Sequence, residues 1–203
     1  MKKNKISENW IKKQKRDIFV RQAKVEGYRS RAVYKLIEVN YKFKILKNGI
    51  SLIDLGAAPG SWSQYVSRNF KNTKLLSIDL KEMEKINNVY QIVGDFTVNE
   101  SQAKIKDHFK SKIDVVISDM AENTTGNKNL DVISTTELYK EAMFFSKEIL
   151  KNNGTFISKI FMGSTFDEII KKTKIIFKNV KVFKPVSSRK DSKESFIICK
   201  FLR

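Results

Sequence analysis

The sequence predicts an α/β fold. The expected architecture is a mostly parallel seven-stranded sheet with one antiparallel strand near its end, helices on both faces, and a short basic helical extension at the N-terminus. Three observations predict it. Short apolar runs of strand length alternate with stretches of helical periodicity from residue 50 onward. The last two apolar runs are joined by residues 184–194, a connection too short for a crossover helix, so that pair is expected to be antiparallel. No internal repeat and no Gly/Ser/Pro-rich linker interrupts the 203 residues. The chain therefore reads as a single domain, with 1–45 a basic helical segment and 50–203 the core.

Taken in order, 7–25 reads as a basic helix whose Trp10, Ile11, Ile18, Phe19 and Val25 form a broken apolar stripe. After Gly27, residues 30–37 read as a second helix capped by Ser30, with Val33, Leu36 and Ile37 on one face. The first strand, 51–55, runs into a Gly/Pro turn and a helix at 62–70. Strands at 75–80 and 89–93 follow, then a helix at 101–109 and a fourth strand at 114–119. A polar loop at 122–131 leads to a long helix near 133–150, stopped by Asn152-Asn153-Gly154 ahead of a fifth strand at 155–161. A helix at 166–177 and strands at 180–183 and 195–202 complete the pattern.

Composition narrows the function. At 41% hydrophobic residues the chain can build a core. No apolar run approaches the roughly 18 residues of a membrane span, and no secretory signal is visible. The single cysteine, Cys199, rules out an internal disulfide and reads as a small core residue, which suits a reducing cytosol. No metal site is expected. The net charge of +18 is unevenly placed. Residues 1–50 carry 15 Lys and Arg against 4 Asp and Glu, and 171–203 carry 11 against 2, while the middle is slightly acidic at 14 against 16. Uniform drift toward lysine would spread the charge evenly; two basic flanks point to a polyanionic partner, nucleic acid ahead of a membrane surface.

Ligands of such sheets bind outside the carboxyl ends of the strands. There the sequence places Asp54-Leu55-Gly56-Ala57-Ala58-Pro59-Gly60-Ser61-Trp62, whose glycines let the backbone turn close to a ligand. The G-x-x-x-G spacing departs from the G-x-G-x-x-G that cradles a dinucleotide pyrophosphate, which argues against a nicotinamide enzyme. Asp79, closing the second strand, is placed to accept both ribose hydroxyls of an adenosine, and Asp95, after the third, its exocyclic amine. Asp119 ends the fourth. Four carboxylates (Asp54, Asp79, Asp95 and Asp119) at the ends of four consecutive strands predict a nucleoside-type ligand.

These residues also carry a family resemblance. Residues 28–36 (YRSRAVYKL), 54–64 (DLGAAPGSWSQ), Gly94-Asp95-Phe96, Ser118-Asp119-Met120-Ala121, Lys159-Ile160-Phe161, Ser187-Ser188-Arg189 and Ser192-Lys193-Glu194 stand in an order and spacing that resembles the RrmJ/FtsJ family of RNA ribose 2′-O-methyltransferases, over essentially the whole chain. The resemblance implies a Rossmann-like methyltransferase fold. It implies S-adenosylmethionine as cofactor, contacted by Gly60, Trp62, Asp79, Asp95 and Asp119. It also implies a catalytic tetrad of Lys35, Asp119, Lys159 and Glu194, with Lys159 as proton acceptor.

A free lysine titrates near ~10.4, so a lysine base requires its proton to be repelled; Lys35 and the cofactor's positive charge are the expected sources. The tetrad should titrate as a coupled unit. The chain departs from the family at Glu122, where proline is common, at Ser158, where an apolar residue is usual, and at Ser61 in place of glycine. The implied substrate is ribosomal RNA, a uridine in the A-loop of the large subunit, within that subunit or its precursor. Arg29, Arg31, Lys35, Arg189, Lys190 and Lys193 are the expected RNA contacts. A cytoplasmic monomer is expected. The alternatives are the same chemistry on tRNA or an mRNA cap, or a catalytically silent RNA-binding ribosome-assembly factor.

Overall fold

The computed structural model of the protein describes residues 16–121 and 128–203. Among them a seven-stranded sheet runs in the order β3-β2-β1-β4-β5-β7-β6. Strands β1 (Ser51–Leu55), β2 (Lys74–Asp79), β3 (Val89–Val93), β4 (Ile113–Ser118) and β5 (Leu150–Phe161) pair in parallel. β7 (Glu194–Leu202) runs antiparallel to both β5 and the edge strand β6 (Phe177–Phe183). This is the expected topology, with the single reversed strand one place in from the edge. The order reverses between β1 and β4, which puts the switch-point crevice at their carboxyl ends.

Helices cover both faces because successive strand residues feed opposite cores. Leu52, Val115, Ile117, Ile157, Phe196 and Ile198 pack against α2 (Val33–Phe43) and α3 (Ser61–Asn69). Their alternates Ile53, Val116, Phe156, Ile197 and Cys199 face α4 (Asn99–Phe109), α5 (Lys128–Ile149) and α6 (Phe166–Ile176). Cys199 is fully buried, and burial pushes its thiol up to about 12, so it is an inert core residue. Helix α1 (Ile18–Val25) lies on α2 through Ala23, Val33 and Tyr34. The Asp17 carboxylate accepts the Phe19 N–H at 3.1 Å and starts α1.

Several expected boundaries move. Trp10, Ile11 and the rest of 7–15 lie outside the described residues. The second helix begins at Val33, not Ser30. Ser30 Oγ accepts the Ala32 N–H at 3.2 Å and turns the chain ahead of the helix rather than capping it. That helix then runs to Phe43, where Asn40 Oδ1 accepts the N–H groups of Ile45 and Leu46 and steers the chain toward β1. Residues 128–131, expected in a loop, already belong to α5. Asn152-Asn153-Gly154 does not stop that helix, which ends at Ile149. The three residues sit in a bulge of β5, between the pairs Ile113↔Leu150 and Val115↔Thr155. A Cβ on Gly154 would come within 2.8 Å of the Lys151 carbonyl oxygen, so only glycine closes that bulge.

Candidate active site

At the switch point a cavity of about 600 Å³ opens over the ends of β1, β2, β3 and β4. Gly56, Ala58, Asp79, Gly94, Asp95, Asp119 and Met120 line it. Gly56 has φ +66, and a Cβ there would lie 2.0 Å from Met120 Cγ, so any side chain would displace the wall formed by Met120. The Asp79 carboxylate accepts the N–H of Ala58 through one oxygen and of Lys81 through the other, each at 2.8 Å. It thereby ties the β1–α3 turn to the β2–β3 loop, and the remaining lone pairs stay available to a ligand hydroxyl. Asp95 Oδ1 accepts both the N–H and the hydroxyl of Thr97, an Asx turn that fixes the carboxylate. A cradle that glycine keeps open, rimmed by three preset carboxylates, suits a nucleoside with neutral hydroxyl and amine donors.

Two residues grouped with this ligand end up elsewhere. Asp54 is buried beside the cavity, accepting the N–H and the hydroxyl of Ser63 at 3.1 and 2.7 Å, and so pins α3 to β1. Burial foremost, with Asp119 and Asp79 adding like-charge repulsion, pushes its carboxyl up to about 7 against the pull of Ser63. The Trp62 indole is also buried: its N–H donates to the Ala32 carbonyl at 2.7 Å and its ring packs 5.7 Å from Phe196. Its side chain joins α3 to α2 and is not part of the cavity wall. Gly60, at φ 100, begins α3 directly behind that wall.

The second half of the site assembles from four distant segments. Lys35 of α2 donates to Asp119 at 3.2 Å and to Glu194, the first residue of β7, at 2.7 Å. Lys159 of β5 pairs with Asp119 Oδ1 at 3.0 Å and donates to the Asp119 carbonyl at 2.5 Å. The register Phe161↔Glu194 sets β7 so that Glu194 begins beside the end of β5. The expected tetrad is thus brought together. Asp119 lies between the two lysines and also faces the cavity. Burial alone would raise its pKa, but Lys159 and Lys35 outweigh it and hold the carboxyl below its ordinary range. Burial likewise works against the Lys35 ammonium, and Asp119 with Glu194 outweighs it and raises Lys35. Lys35 is therefore a fixed cation, with Asp119 standing between it and Lys159.

Sequence reasoning missed the residues that hold this end. Ser188 donates to Glu194 Oε1 at 2.7 Å. The Glu38 carboxylate accepts the N–H groups of Val186 and Ser187 at 2.6 and 2.8 Å. Glu38 is one turn beyond Lys35, so one face of α2 contacts Glu194 and also orders the loop leading to it. The i, i+3 spacing was legible, but its partner was a loop backbone with no sequence signal.

The expected RNA contacts divide. Arg31 is committed to the Asp17 carboxylate and the Ser187 carbonyl, and Arg29 to three other carbonyls. Arg189 is half-buried, 3.6 Å from Asp17. Lys190 and Lys193 are exposed. Glu122 lies outside the described residues, and Ser158 is a buried residue of β5.

A family model described as FtsJ-like methyltransferase matches residues 28–202. The ribosomal RNA large subunit methyltransferase E of Pelagibacter ubique is 68% identical over 203 residues, covering 100% of both chains. The protein of the same name from Rickettsia akari is 43% identical, covering 97% of this chain and 89% of its own. The solved structure of a ribosomal RNA methyltransferase from Plasmodium falciparum is 34% identical, with a TM-score of 0.77 over 86% of this chain and 98% of that one. Human methyltransferase-like protein 13, solved with SAH, is 13% identical at a TM-score of 0.58, over 83% of this chain and 79% of its own; that likeness is one of fold.

Proposed function

The chain belongs to the FtsJ-like methyltransferase family, and on that premise we propose that it methylates a ribose 2′-hydroxyl of large-subunit ribosomal RNA, a uridine of the A-loop. The observation that carries the reading is Asp119, one carboxylate that lines the nucleoside cavity and holds both lysines of the tetrad.

S-adenosylmethionine, when bound, supplies a methyl group activated by its sulfonium. Asp79 would take the ribose hydroxyls of that cofactor and Asp95 its adenine amine, with Gly56 leaving the backbone open to it. Gly60 and the backbone of Trp62 would support the turn behind it. Lys159, as the neutral amine, would accept the proton of the substrate 2′-hydroxyl. Lys35, kept as an ammonium by two carboxylates, fixes the ribose and does not compete as the base. Glu194, held by Ser188 and Lys35, sets the position of Lys35. By holding the hydroxyl in one orientation, Lys35 and Lys159 would supply much of the remaining acceleration.

Lys190 and Lys193, exposed on the segment that ends at Glu194, would meet RNA phosphates beside the tetrad. The reading is of a monomer in the cytoplasm, acting on a large ribosomal subunit or its precursor.

The decisive experiment is ribose-methylation mapping of all ribosomal RNA and tRNA in cells with and without the gene. Loss of one 2′-O-methyl uridine in the A-loop is the expected outcome. Loss confined to tRNA, or no loss at all, overturns the substrate.

A further inference from the structure

Arg29 lies in the segment whose charge pointed to RNA, yet its guanidinium is turned into the protein. Nη1 donates to the Pro59 carbonyl at 3.0 Å and to the Glu84 carbonyl at 2.9 Å, and Nη2 donates to the Lys85 carbonyl at 3.1 Å. The side chain is only 17% exposed. The strap that delivers it is itself docked on α3. Gln64 accepts the Arg29 N–H and donates to the Gly27 carbonyl, while Arg68 donates to the carbonyls of Glu26 and Gly27.

The three acceptors belong to two loops. Pro59 is in the β1–α3 turn, whose Gly56 and Ala58 line the cavity. Glu84 and Lys85 are in the β2–β3 loop, whose Leu80 and Lys81 line it. The same two loops are joined on the cavity side by Asp79, through Ala58 and Lys81. The cavity wall is therefore fastened twice, by a carboxylate within and a guanidinium behind. The packing between the fastenings is close: a Cβ on Gly60 would lie 2.8 Å from Ile86 Cδ1 and 3.0 Å from Arg29 Nη1.

We propose that Arg29 is a positioning residue for the cofactor, which sets the spacing of the two loops that grip it, and is not a contact to RNA phosphate. The proposal rests on the reading of this cavity as the S-adenosylmethionine site. The guanidinium presents several donors in one plane, and three carbonyls use them. A lysine keeps the charge but cannot reach three carbonyls in fixed directions. Arg29→Lys therefore separates the two roles: it would spare a phosphate contact and break the clamp.

The test is calorimetric titration of the full chain with S-adenosylhomocysteine, for wild type, Arg29→Lys, Arg29→Ala and Asp79→Ala. It is paired with binding of a large-subunit ribosomal RNA fragment across a salt series. Both Arg29 variants should bind S-adenosylhomocysteine about tenfold more weakly, a change corresponding to ~1.4 kcal/mol. KM for the methyl donor should rise, kcat at saturating donor should stay near wild type, and the salt slope of RNA binding should not change. Unchanged affinity for S-adenosylhomocysteine in Arg29→Lys overturns the proposal, and that variant also decides the matter if Arg29→Ala does not fold. So does a salt slope reduced by about 0.7–0.9 in Arg29→Ala and restored in Arg29→Lys, the mark of one phosphate contact. Weakened binding in Asp79→Ala with normal binding in Arg29→Lys sinks the Arg29 proposal alone. A wild-type chain that takes up no S-adenosylhomocysteine removes the cavity reading and this proposal together.

Discussion

On the β1–β3 side of the switch point, Asp79 and Asp95 are held by backbone N–H groups of their own loops and of one neighbour: Lys81, Thr97 and Ala58. On the β4–β7 side, Asp119 and Glu194 are held mainly by side chains, with Lys35 reaching across 84 and 159 residues of sequence. The first arrangement is made of turn backbone, with Asp79 joining two of the loops. The second is two ammonium groups and two carboxylates that balance one another away from water, so removing any one leaves a buried charge unmatched. A binding end can be built from turn chemistry. A reacting end that gathers two lysines away from water needs opposed charges delivered by separate elements.

The largest break in this comparison should come from Lys159. Lys159→Ala should lower single-turnover methyl transfer to undermodified large ribosomal subunits by about 10²–10⁴-fold, with affinity for S-adenosylhomocysteine close to wild type. Lys159→Arg should be nearly as slow, because a guanidinium does not release its proton near neutral pH. Substantial transfer by the Arg variant would show that Lys159 serves only as a charge paired with Asp119.

A smaller effect should separate support from chemistry. Ser188→Ala removes one hydrogen bond to Glu194 and leaves the Lys35 bond in place. Transfer should fall by up to about tenfold, the scale of one neutral hydrogen bond, and cofactor affinity should not move. A wild-type rate in this variant would mean that Lys35 alone fixes Glu194.

A further effect concerns stability on the cofactor side, not rate. The Asp54 carboxyl sits at about 7 in the folded protein, above the ordinary carboxylate value of 3.8. From pH 4 to 7 the folded chain keeps a proton that the unfolded chain has released. This group's contribution therefore falls as pH rises through that window and is level above it. Asp54→Asn stays neutral throughout, so its stability relative to wild type should increase from pH 4 to 7, by up to about 4 kcal/mol. Thermal melts of both proteins across that range measure it, and a pH-independent difference between the two would mean that folding does not shift Asp54.

The same contrast explains how much the sequence disclosed. The strand order's consequences, the cavity aspartates and the tetrad were legible because glycine turns, strand-end aspartates and motif order are local features. The orientation of the Trp62 indole was not legible, because a position beside a glycine turn says nothing about which way a side chain points, and Phe196 and the Ala32 carbonyl hold the ring in the core. Arg29 and Arg31 were assigned to RNA by charge alone. Net charge records how many cations a segment has, not how many are already bonded to carbonyls or to Asp17. Glu38 carried no signal because it acts on a segment about 150 residues away, and Ser188 stood in a recognised stretch without a role because its partner is set by a loop with no periodicity. Asn152-Asn153-Gly154 reads as a helix stop by composition, and register alone shows the bulge.

The reversed strand has a consequence for what partial assemblies of this molecule could do. β6 and β7 form a hairpin, and β7 is the member that seats against β5, at Phe161↔Glu194. Were that hairpin to detach as a unit, the exposed edge of β5 would still carry Lys159. The glycine cradle, Asp79, Asp95 and Asp119 would all remain, because none of them belongs to the hairpin. Glu194 and Ser188 would leave together. Such a form would retain the residues that grip a nucleoside and lose the group that braces Lys35, so occupancy of the cavity and competence for transfer are separable within one chain. Uptake of ligand alone would not certify that the last two strands are home.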